Sequence, residues 1–228
     1  MTLLWLAAIA FVGTHFLLSH PLRAPMVRIT GEAAFSGIYS LVAAITLAWI
    51  IIAYRSAPTD APWWPVGNGL WALVSALMLI ASVLLVGSLV GNPALPKPGG
   101  VRAAPETARG VFAVTRHPMM WSFAIWGVAH ILVYPITKTF IVTTAMIVLS
   151  LVGAALQDRK KARLQPEVWS AWVRQTSYVP FAAILAGRAR LSGFGMIATV
   201  GGLLLWVVAS WAHIPLSGWR AGIWRWIG

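Results

Sequence analysis

Histidines are the residues of this chain best placed to do chemistry inside apolar segments, and there are five of them. An ionisable side chain inside a membrane-spanning segment is costly and by default marks a functional site. Long apolar runs flank His15 and His130, so an internal ligand or hydrogen-bonding role fits both. His20 and His213 border such runs, where an imidazole is often only an interfacial polar tip. His117 stands at the start of another run.

The available ligands favour haem over other metal centres. The chain has no cysteine, which excludes disulfides, thiolate metal sites and iron–sulfur clusters. Imidazoles without thiolates or a carboxylate cluster suit haem iron better than zinc or magnesium. On one helix His117 and His130 would lie about 20 Å apart and about 140° apart around the axis, so they cannot share one metal ion.

Most other catalytic patterns are missing from the sequence. No GxSxG, HExxH or phosphate-binding glycine loop occurs, and no apolar run contains paired carboxylates. Asp158 and Glu167 stand among basic residues, whose charge they partly offset. Hydrolytic and ATP-driven chemistry are therefore disfavoured.

Composition places these residues in a membrane protein. Of 228 residues, 59% are hydrophobic and only 10% are charged, whereas an ordinary soluble domain has about 25% charged residues. A membrane-spanning helix needs about 20 apolar residues. The sequence predicts an all-α polytopic membrane bundle, a single integral membrane domain over residues 1–228, with about six spanning helices: Leu3–Leu18, Ala33–Tyr54, Gly69–Val90, Met119–Tyr134, Ile136–Leu156 and Phe194–His213.

The basic residues predict the orientation of these spans. The chain has 17 Lys and Arg against five acids, for a net charge of +12. If both termini are periplasmic, every basic residue falls on the cytoplasmic side except Arg55, Lys138, Arg220 and Arg225, as the positive-inside rule requires. We therefore expect a bacterial inner-membrane protein whose charge meets anionic headgroups, with no role for nucleic acid.

Two cytoplasmic connectors and the C-terminal tail have distinct compositions. Asn92–Pro118 is rich in Pro and Gly, which predicts an extended, turn-rich connector. Gln157–Val173 has apolar residues at helical spacing, which predicts an amphipathic helix at the cytoplasmic interface, with Leu164, Val168, Trp169 and Trp172 on one side. The tail from Trp211 to Trp226 is typical of an interfacial aromatic belt.

Aromatic residues of the fourth span have two interpretations. Trp121, Phe123 and Trp126 could wall a flat or polyene ligand. Aromatic side chains at such spacing are also common as packing or lipid-facing residues, and the chain has 14 Trp in all. Composition alone leaves both interpretations open.

An ordered set of motifs along the whole chain resembles the NnrU family of bacterial inner-membrane proteins. The fourth span carries the Thr115–Trp121 motif TRHPMMW, followed by Trp126 and Ala129-His130. Further matching features are His15, Pro21-Leu22-Arg23, Gly31-Glu32, Asp158-Arg159-Lys160-Lys161, Trp169, Thr176-Ser177-Tyr178-Val179-Pro180-Phe181 and Gly187-Arg188. The resemblance depends on the order of these motifs, since RHP alone is weak.

The resemblance implies functions that spacing alone does not. NnrU proteins are associated with nitrite and nitric oxide reduction in denitrifying bacteria. Their relatives, the 15-cis-zeta-carotene isomerases, use haem b in a redox-dependent cis to trans isomerisation. The resemblance implies haem b held by His15 and His130 as metal ligands, with His117 as a further cofactor-binding position. In upright straight helices His15 and His130 would differ by about 12 Å in depth, a gap that helix tilt would change.

A second, remoter similarity leads to an alternative function. RHP at a helix start, Asp158, two tryptophans and the closing Tyr178–Phe181 segment resemble the isoprenylcysteine carboxyl methyltransferases. That resemblance implies S-adenosylmethionine as cofactor and Arg116 and His117 as candidate catalytic residues. The family's paired glutamates are replaced here by Gln157-Asp158. The resemblance also implies that Arg116 and His117 meet the Asp158–Pro180 segment at the inner membrane surface. There Arg116 could pair with Asp158 or contact lipid headgroups.

Three functional hypotheses follow from the sequence. The main one is an NnrU-type, haem b-binding membrane protein in nitrogen-oxide respiration or in haem-dependent isomerisation of a hydrophobic polyene. The second is a membrane methyltransferase, and the third is a non-enzymatic accessory subunit of a nitrogen-oxide reductase. In the third case the histidines have only a structural role, in contacts between helices.

Overall fold

A computed structural model describes residues 1–95 and 103–227 of the chain. Within this part of the chain, five helices are long and apolar enough to cross a membrane, and a shorter apolar helix accompanies them. The expected polytopic helical bundle is confirmed. The helices are α1 (Thr2–Ser19), α2 (Arg23–Ser56), α3 (Asn68–Gly87), α4 (Val111–Val114), α5 (Pro118–Val133), α6 (Thr137–Leu164), α7 (Pro166–Gln175), α8 (Ala182–Leu185) and α9 (Met196–Ser217).

The apolar segments become helices because lipid offers no hydrogen bonds to the backbone. A spanning segment must satisfy its N–H and C=O groups internally, and an α-helix does this within one segment. α5 has 16 residues, a length of about 24 Å at 1.5 Å per residue. It is thus shorter than a hydrocarbon core of about 30 Å, whereas α1, α2, α3, α6 and α9 have 18 residues or more.

α2 contains a break near its start. Gly31 has φ 79° and ψ 163° inside the helix, a backbone conformation that glycine adopts without steric cost. Arg23, before the break, pairs with Glu32 after it at 2.8 Å. The continuous helix that follows matches the predicted span from Ala33.

Contacts divide the chain into two compact units, which are described separately. Unit 1 comprises Met1–Val66 and His130–Leu149. Its core joins the first part of α1 to the end of α2 and the start of α6, through the buried residues Leu4, Ala7, Ala8, Phe11, Ile50, Ala53 and Ile141. The N-terminus of α1, the C-terminus of α2 and the N-terminus of α6 therefore share one end of this unit.

At that end of unit 1, a carboxylate from a loop caps α6. Both oxygens of Asp60 accept from the Thr137 backbone N–H at 3.1 Å, and the Thr137 hydroxyl donates to Oδ2 at 2.6 Å. The hydroxyl bond from Thr137 lowers the pKa of the exposed Asp60 carboxyl below its ordinary value. A carboxylate at this position also complements the positive N-terminal end of the helix dipole.

Unit 2, Gly67–Ala129 with Ser150–Gly228, is built on a close approach of α3 and α9. A Cβ placed on Gly202 would lie 2.6 Å from Cα of Val83, and one on Gly201 would lie 2.9 Å from Cγ1 of Val86. Small residues at helix interfaces let backbones approach closely in membranes. These two glycines thus allow the α3–α9 contact.

The predicted amphipathic segment takes a different form in unit 2. Its first part, from Gln157 to Leu164, continues α6, and a separate helix α7 begins at Pro166. Trp169 and Trp172 of α7 are 1% and 0% exposed. They pack on protein, in a core with Leu84, Ala94, Ala108, Val111, Phe112, Val114 and Ala198. The Trp face thus packs on apolar partners within the chain, and the interfacial placement of this segment stays a prediction.

The predicted extended connector contains a buried helical turn. α4 lies inside Asn92–Pro118, and all four of its residues are buried. The apolar sequence Val-Phe-Ala-Val explains this burial, which the Pro and Gly content of the connector obscured. Residues 96–102 of the connector lie outside the described residues.

The C-terminal tail folds back on unit 2. A short 3₁₀ helix, Gly222–Arg225, follows α9. The Trp224 indole donates to the Val207 carbonyl at 3.0 Å, and the Arg225 guanidinium lies 4.6 Å from the centre of the Trp71 ring. The tail is thus not a seventh span, as the sequence indicated.

We expect Gly202→Ala to destabilise the protein by about 1–3 kcal/mol, the usual cost of overpacking a close contact. The new methyl group would meet the Val83 backbone, which cannot move aside within a helix. Gly13→Ala in α1 is the matched control, because a Cβ there has no neighbour within 4 Å and Ala favours a helix over Gly by about 1 kcal/mol. Thermal unfolding of detergent-purified protein measures both. Equal midpoints for the two variants would contradict the close contact.

Candidate functional site

Asp158 is the centre of a polar cluster in unit 2. Nε of Arg116 donates to both carboxylate oxygens, at 3.0 and 2.8 Å, and Nη2 of Arg116 also donates to Oδ2. Nε2 of His117 lies 2.7 Å from Oδ1. The three side chains are only 13%, 1% and 17% exposed for Arg116, His117 and Asp158. The pairing of Arg116 with Asp158, one of two alternatives from the sequence, is confirmed.

Local sequence explains how Arg116 and His117 reach this position. Proline disfavours the helical conformation at the residue before it, so Pro118 starts α5 and His117 stays outside the helix. Thr115, at the end of α4, has extended backbone with φ −156° and ψ 151°. The RHP sequence thus joins two helices through a short extended segment.

That extended segment is bonded along its length to the chain after α7. The Arg116 backbone N–H donates to the Ser177 carbonyl at 2.8 Å. The Thr115 hydroxyl and the Trp121 indole both donate to the Tyr178 carbonyl, at 2.8 and 2.9 Å. The expectation that Arg116 and His117 meet the Asp158–Pro180 segment is therefore confirmed.

Tyr178 closes the cluster against α6. Its hydroxyl donates to the Leu151 carbonyl at 2.6 Å, and its ring lies edge-on to His117 at 5.8 Å between centroids. The Arg116 guanidinium lies 5.9 Å from the ring centre. Burial raises the pKa of the Tyr178 phenol, and the negative charge of Asp158 adds to the effect. Tyr178 therefore remains a hydrogen-bond donor.

The cluster is arranged to hold structure together rather than to receive a ligand. Among the described residues, the side-chain hydrogen bonds of the Arg116 guanidinium and the His117 imidazole all go to the Asp158 carboxylate. A carboxylate on Nε2 is a common partner of metal-binding imidazoles, yet a ring that is 1% exposed has no space for a haem beside it. His117 does not fit direct ligation of haem.

His15 has surroundings that fit an iron ligand. Its Nδ1 donates to the Phe11 carbonyl at 2.6 Å, and this bond leaves Nε2 as the ring nitrogen that can meet another partner. A bond from the second ring nitrogen to a carbonyl is the usual support of a metal-binding imidazole. The rings of Phe11 and Tyr39 lie 4.4 and 5.6 Å from the His15 ring. The donor and its aromatic neighbours suit a flat macrocycle in an apolar site.

His130 belongs to the same unit but to the other end of it. It lies one turn before the C-terminus of α5, and Pro135 and Ile136 lead from there to the N-terminus of α6. That end of unit 1 also holds Leu4 of α1, which precedes His15 by about 16 Å at 1.5 Å per residue. Helix lengths therefore place His15 and His130 at different depths in unit 1, as the sequence indicated, and their joint ligation of one iron stays a prediction.

The remaining sequence candidates have more local roles. His213 bonds to the Ala209 carbonyl at 2.7 Å near the exposed end of α9. Trp121 is tied to Tyr178, so it is a packing residue of the cluster. Among the described residues, no group of three or more His, Asp or Glu could hold a metal ion.

Sequence reasoning missed the aromatic residues nearest to His15. Phe11, Phe35 and Tyr39 form a chain of ring contacts around it, whereas the predicted aromatic wall lay on the fourth span. The sequence did contain a signal for the contact between Phe11 and His15. Phe11 and His15 are four residues apart in one helix and so share a face.

Comparisons with known proteins agree with this architecture. The family described as NnrU protein matches residues 3–221. Two chloroplastic 15-cis-zeta-carotene isomerases are similar over shorter stretches. The Arabidopsis thaliana protein is 35% identical over 79 residues, and the Zea mays protein is 34% identical over 82 residues.

These similarities differ in extent. The aligned stretches cover 35% and 36% of this chain but only 22% of each isomerase. The chain thus matches about a fifth of the length of these curated relatives. No solved structure matches. Since the family match extends from residue 3 to residue 221, this chain belongs to the NnrU family.

Proposed function

We propose that this protein binds haem b through His15 and acts as an isomerase-like enzyme on a hydrophobic polyene. The observation that carries the proposal is the fixed imidazole of His15. Its Nδ1 is bonded to the Phe11 carbonyl, and its Nε2 makes no hydrogen bond to any residue that the structure describes. Similarity to two 15-cis-zeta-carotene isomerases supports a polyene as the substrate class. Nitrogen-oxide respiration, which NnrU membership suggests, is the proposed cellular setting.

The residues around His15 have separable tasks in this proposal. Phe11 holds the imidazole in one tautomer through its carbonyl. Tyr39 and Phe35 supply aromatic edges that exclude water and pack on a flat or conjugated ligand. A haem bound here would supply a redox-active iron. Apolar surroundings and the axial imidazole are two of the levers by which a protein tunes haem iron.

The Arg116–His117–Asp158 cluster has a positioning role in this proposal. It ties the start of α5 to the cytoplasmic half of α6 through one carboxylate. S-adenosylmethionine, the cofactor of the alternative methyltransferase hypothesis, would need donors that are already bonded to Asp158. For this reason we do not propose methyl transfer.

The proposed location is the bacterial inner membrane, with both termini in the periplasm. Apolar helices support a membrane location. Four basic residues, Arg55, Lys138, Arg220 and Arg225, fall on the proposed periplasmic side, against 17 in the whole chain. This asymmetry supports the orientation through the positive-inside rule.

Detergent-purified protein, expressed with added haem precursor, should show a b-type Soret band. We expect His15→Ala to abolish or strongly shift this band, because the variant removes the proposed axial nitrogen. His213→Ala is the matched control, since His213 makes the same bond to a carbonyl four residues earlier. It should leave the spectrum unchanged. His130→Ala, measured in parallel, tests the second predicted ligand.

Two outcomes would contradict the haem proposal. A well-folded, haem-supplemented preparation without a Soret band would remove haem from the function and favour the accessory-subunit hypothesis. A band that survives His15→Ala unchanged would remove His15 as the ligand.

Isomerase activity is tested by incubating the haem-loaded protein with 15-cis-zeta-carotene in detergent, under reducing and oxidising conditions. Chromatography monitors the amount of the cis isomer. We expect the cis isomer to be lost with the wild type and with His213→Ala but not with His15→Ala. Haem-loaded wild-type protein that leaves the cis isomer unchanged under both conditions would exclude this substrate.

Asp158→Asn should destabilise the protein by roughly 3–5 kcal/mol, the cost of leaving a buried charge without its partner. The variant keeps the shape of the side chain but removes the charge that Arg116 faces. Glu32→Gln is the control, because its pair with Arg23 is 63% and 34% exposed and such pairs are worth about 0–1 kcal/mol. Thermal unfolding measures both variants. A haem spectrum lost in Asp158→Asn protein that remains fully stable would contradict a positioning role.

A further inference from the structure

A cavity lined by arginines lies in unit 2, and none of its lining residues belongs to the Asp158 cluster. Its volume is about 440 Å³. Arg109, Arg188 and Arg190 line it, together with the hydroxyl residues Thr107 and Ser192. No acidic residue is among its described lining residues. A concave surface with three cations and no anion favours a negatively charged ligand.

Two side chains hold the walls of this cavity in place. The Gln175 amide donates to the Pro105 carbonyl at 3.1 Å, and its Oε1 accepts from the Ala108 backbone at 2.8 Å. Nη1 of Arg188 donates to the carbonyls of Val173, Arg174 and Thr176 at 3.2, 2.9 and 3.0 Å. The cavity is therefore shaped by bonds within the protein before any ligand arrives.

The guanidinium groups of Arg109 and Arg190, unlike that of Arg188, are available to bind a ligand. Their side chains make no hydrogen bond or ion pair with any residue of the described ranges, and both residues are exposed. Arg116, by contrast, already donates hydrogen bonds to both carboxylate oxygens of Asp158. A guanidinium presents a planar fork of donors that matches the oxygens of a phosphate.

A second cavity continues from the first and is mostly apolar. Its volume is about 530 Å³, and it shares Arg109 and Ser192 with the first cavity. Its apolar lining residues are Val90, Val111, Phe112, Phe194, Met196, Ile197 and Ala198, and several are strongly exposed, with Met196 at 81% and Ile197 at 64%. A cationic cavity that opens into an apolar one fits a ligand with an anionic head and a hydrocarbon tail.

The location of the two cavities points to the membrane as the source of that ligand. Gly87 at the C-terminus of α3 and Met196 at the N-terminus of α9 both line the second cavity. The ends of spanning helices lie where the hydrocarbon core meets the headgroups. We propose that this cavity pair is a binding site for an anionic phospholipid. Arg109 and Arg190 bind its phosphate, and the cavity beside Ile197 holds the first part of an acyl chain.

Lipid binding by the full chain in detergent tests this proposal. Native mass spectrometry compares phosphatidylglycerol and phosphatidylcholine of equal acyl length, and it needs no haem in the protein. We expect tighter binding of phosphatidylglycerol. The double variant Arg109→Gln/Arg190→Gln should weaken that binding about tenfold or more, because it removes the charged donors of both guanidinium groups.

The charge-matched control is Arg159→Gln/Arg163→Gln, at exposed positions of α6 that line neither cavity. It should leave phosphatidylglycerol binding within about threefold, because these two residues line neither cavity and act on the lipid only through screened, longer-range charge. An equal loss in both double variants would overturn the proposal in favour of general surface charge. Circular dichroism of each variant shows that the fold is kept.

Two further measurements separate a lipid from a free anion. Ile197→Ser should weaken phosphatidylglycerol binding, because it removes apolar surface from the second cavity. Inorganic phosphate should not displace the lipid at millimolar concentration. Full displacement by phosphate, or equal binding of both lipids, would overturn the assignment of a phospholipid site.

Discussion

The fold of unit 2 depends on one carboxylate in a chain that has only five acidic residues. Asp158 lies near the end of α6 and meets a guanidinium and an imidazole that precede α5. A buried charge is tolerated only when it is paired and hydrogen-bonded. The position of α6 relative to the RHP segment is thereby set. The bonds from Thr115, Arg116 and Trp121 to Ser177 and Tyr178 then bring the chain after α7 to the same place.

Hydropathy predicted most of the spans because a membrane permits few alternatives to a helix. The sequence also indicated that Arg116 and His117 meet the segment before Pro180. It did not distinguish the two environments that an apolar helix face can have. Trp169 and Trp172 have the spacing of a helix on a lipid surface, and the same spacing serves a helix packed on protein. Only the positions of distant residues such as Leu84 and Ala198 distinguish the two.

The histidines of the chain illustrate the same limit. Their residue type indicated ligand chemistry. The role of each imidazole, however, depends on which atom its ring nitrogens bond to, and the sequence does not show this atom. His117 donates to a carboxylate and is buried beside Tyr178. His15 donates to a carbonyl of its own helix. The first arrangement uses an imidazole to hold elements together, and the second leaves a nitrogen for another ligand.

The core around α7 also determines how late in synthesis unit 2 can be completed. Synthesis proceeds from the N-terminus, so Leu84 and Val111 leave the ribosome well before Trp169, and Ala198 follows last. These residues form one buried cluster. Until α9 has been inserted, the two tryptophans lack Ala198, and the face of α3 around Val83 lacks the glycines that it contacts. Insertion of the last span is thus the step that completes the core of unit 2, late in biosynthesis.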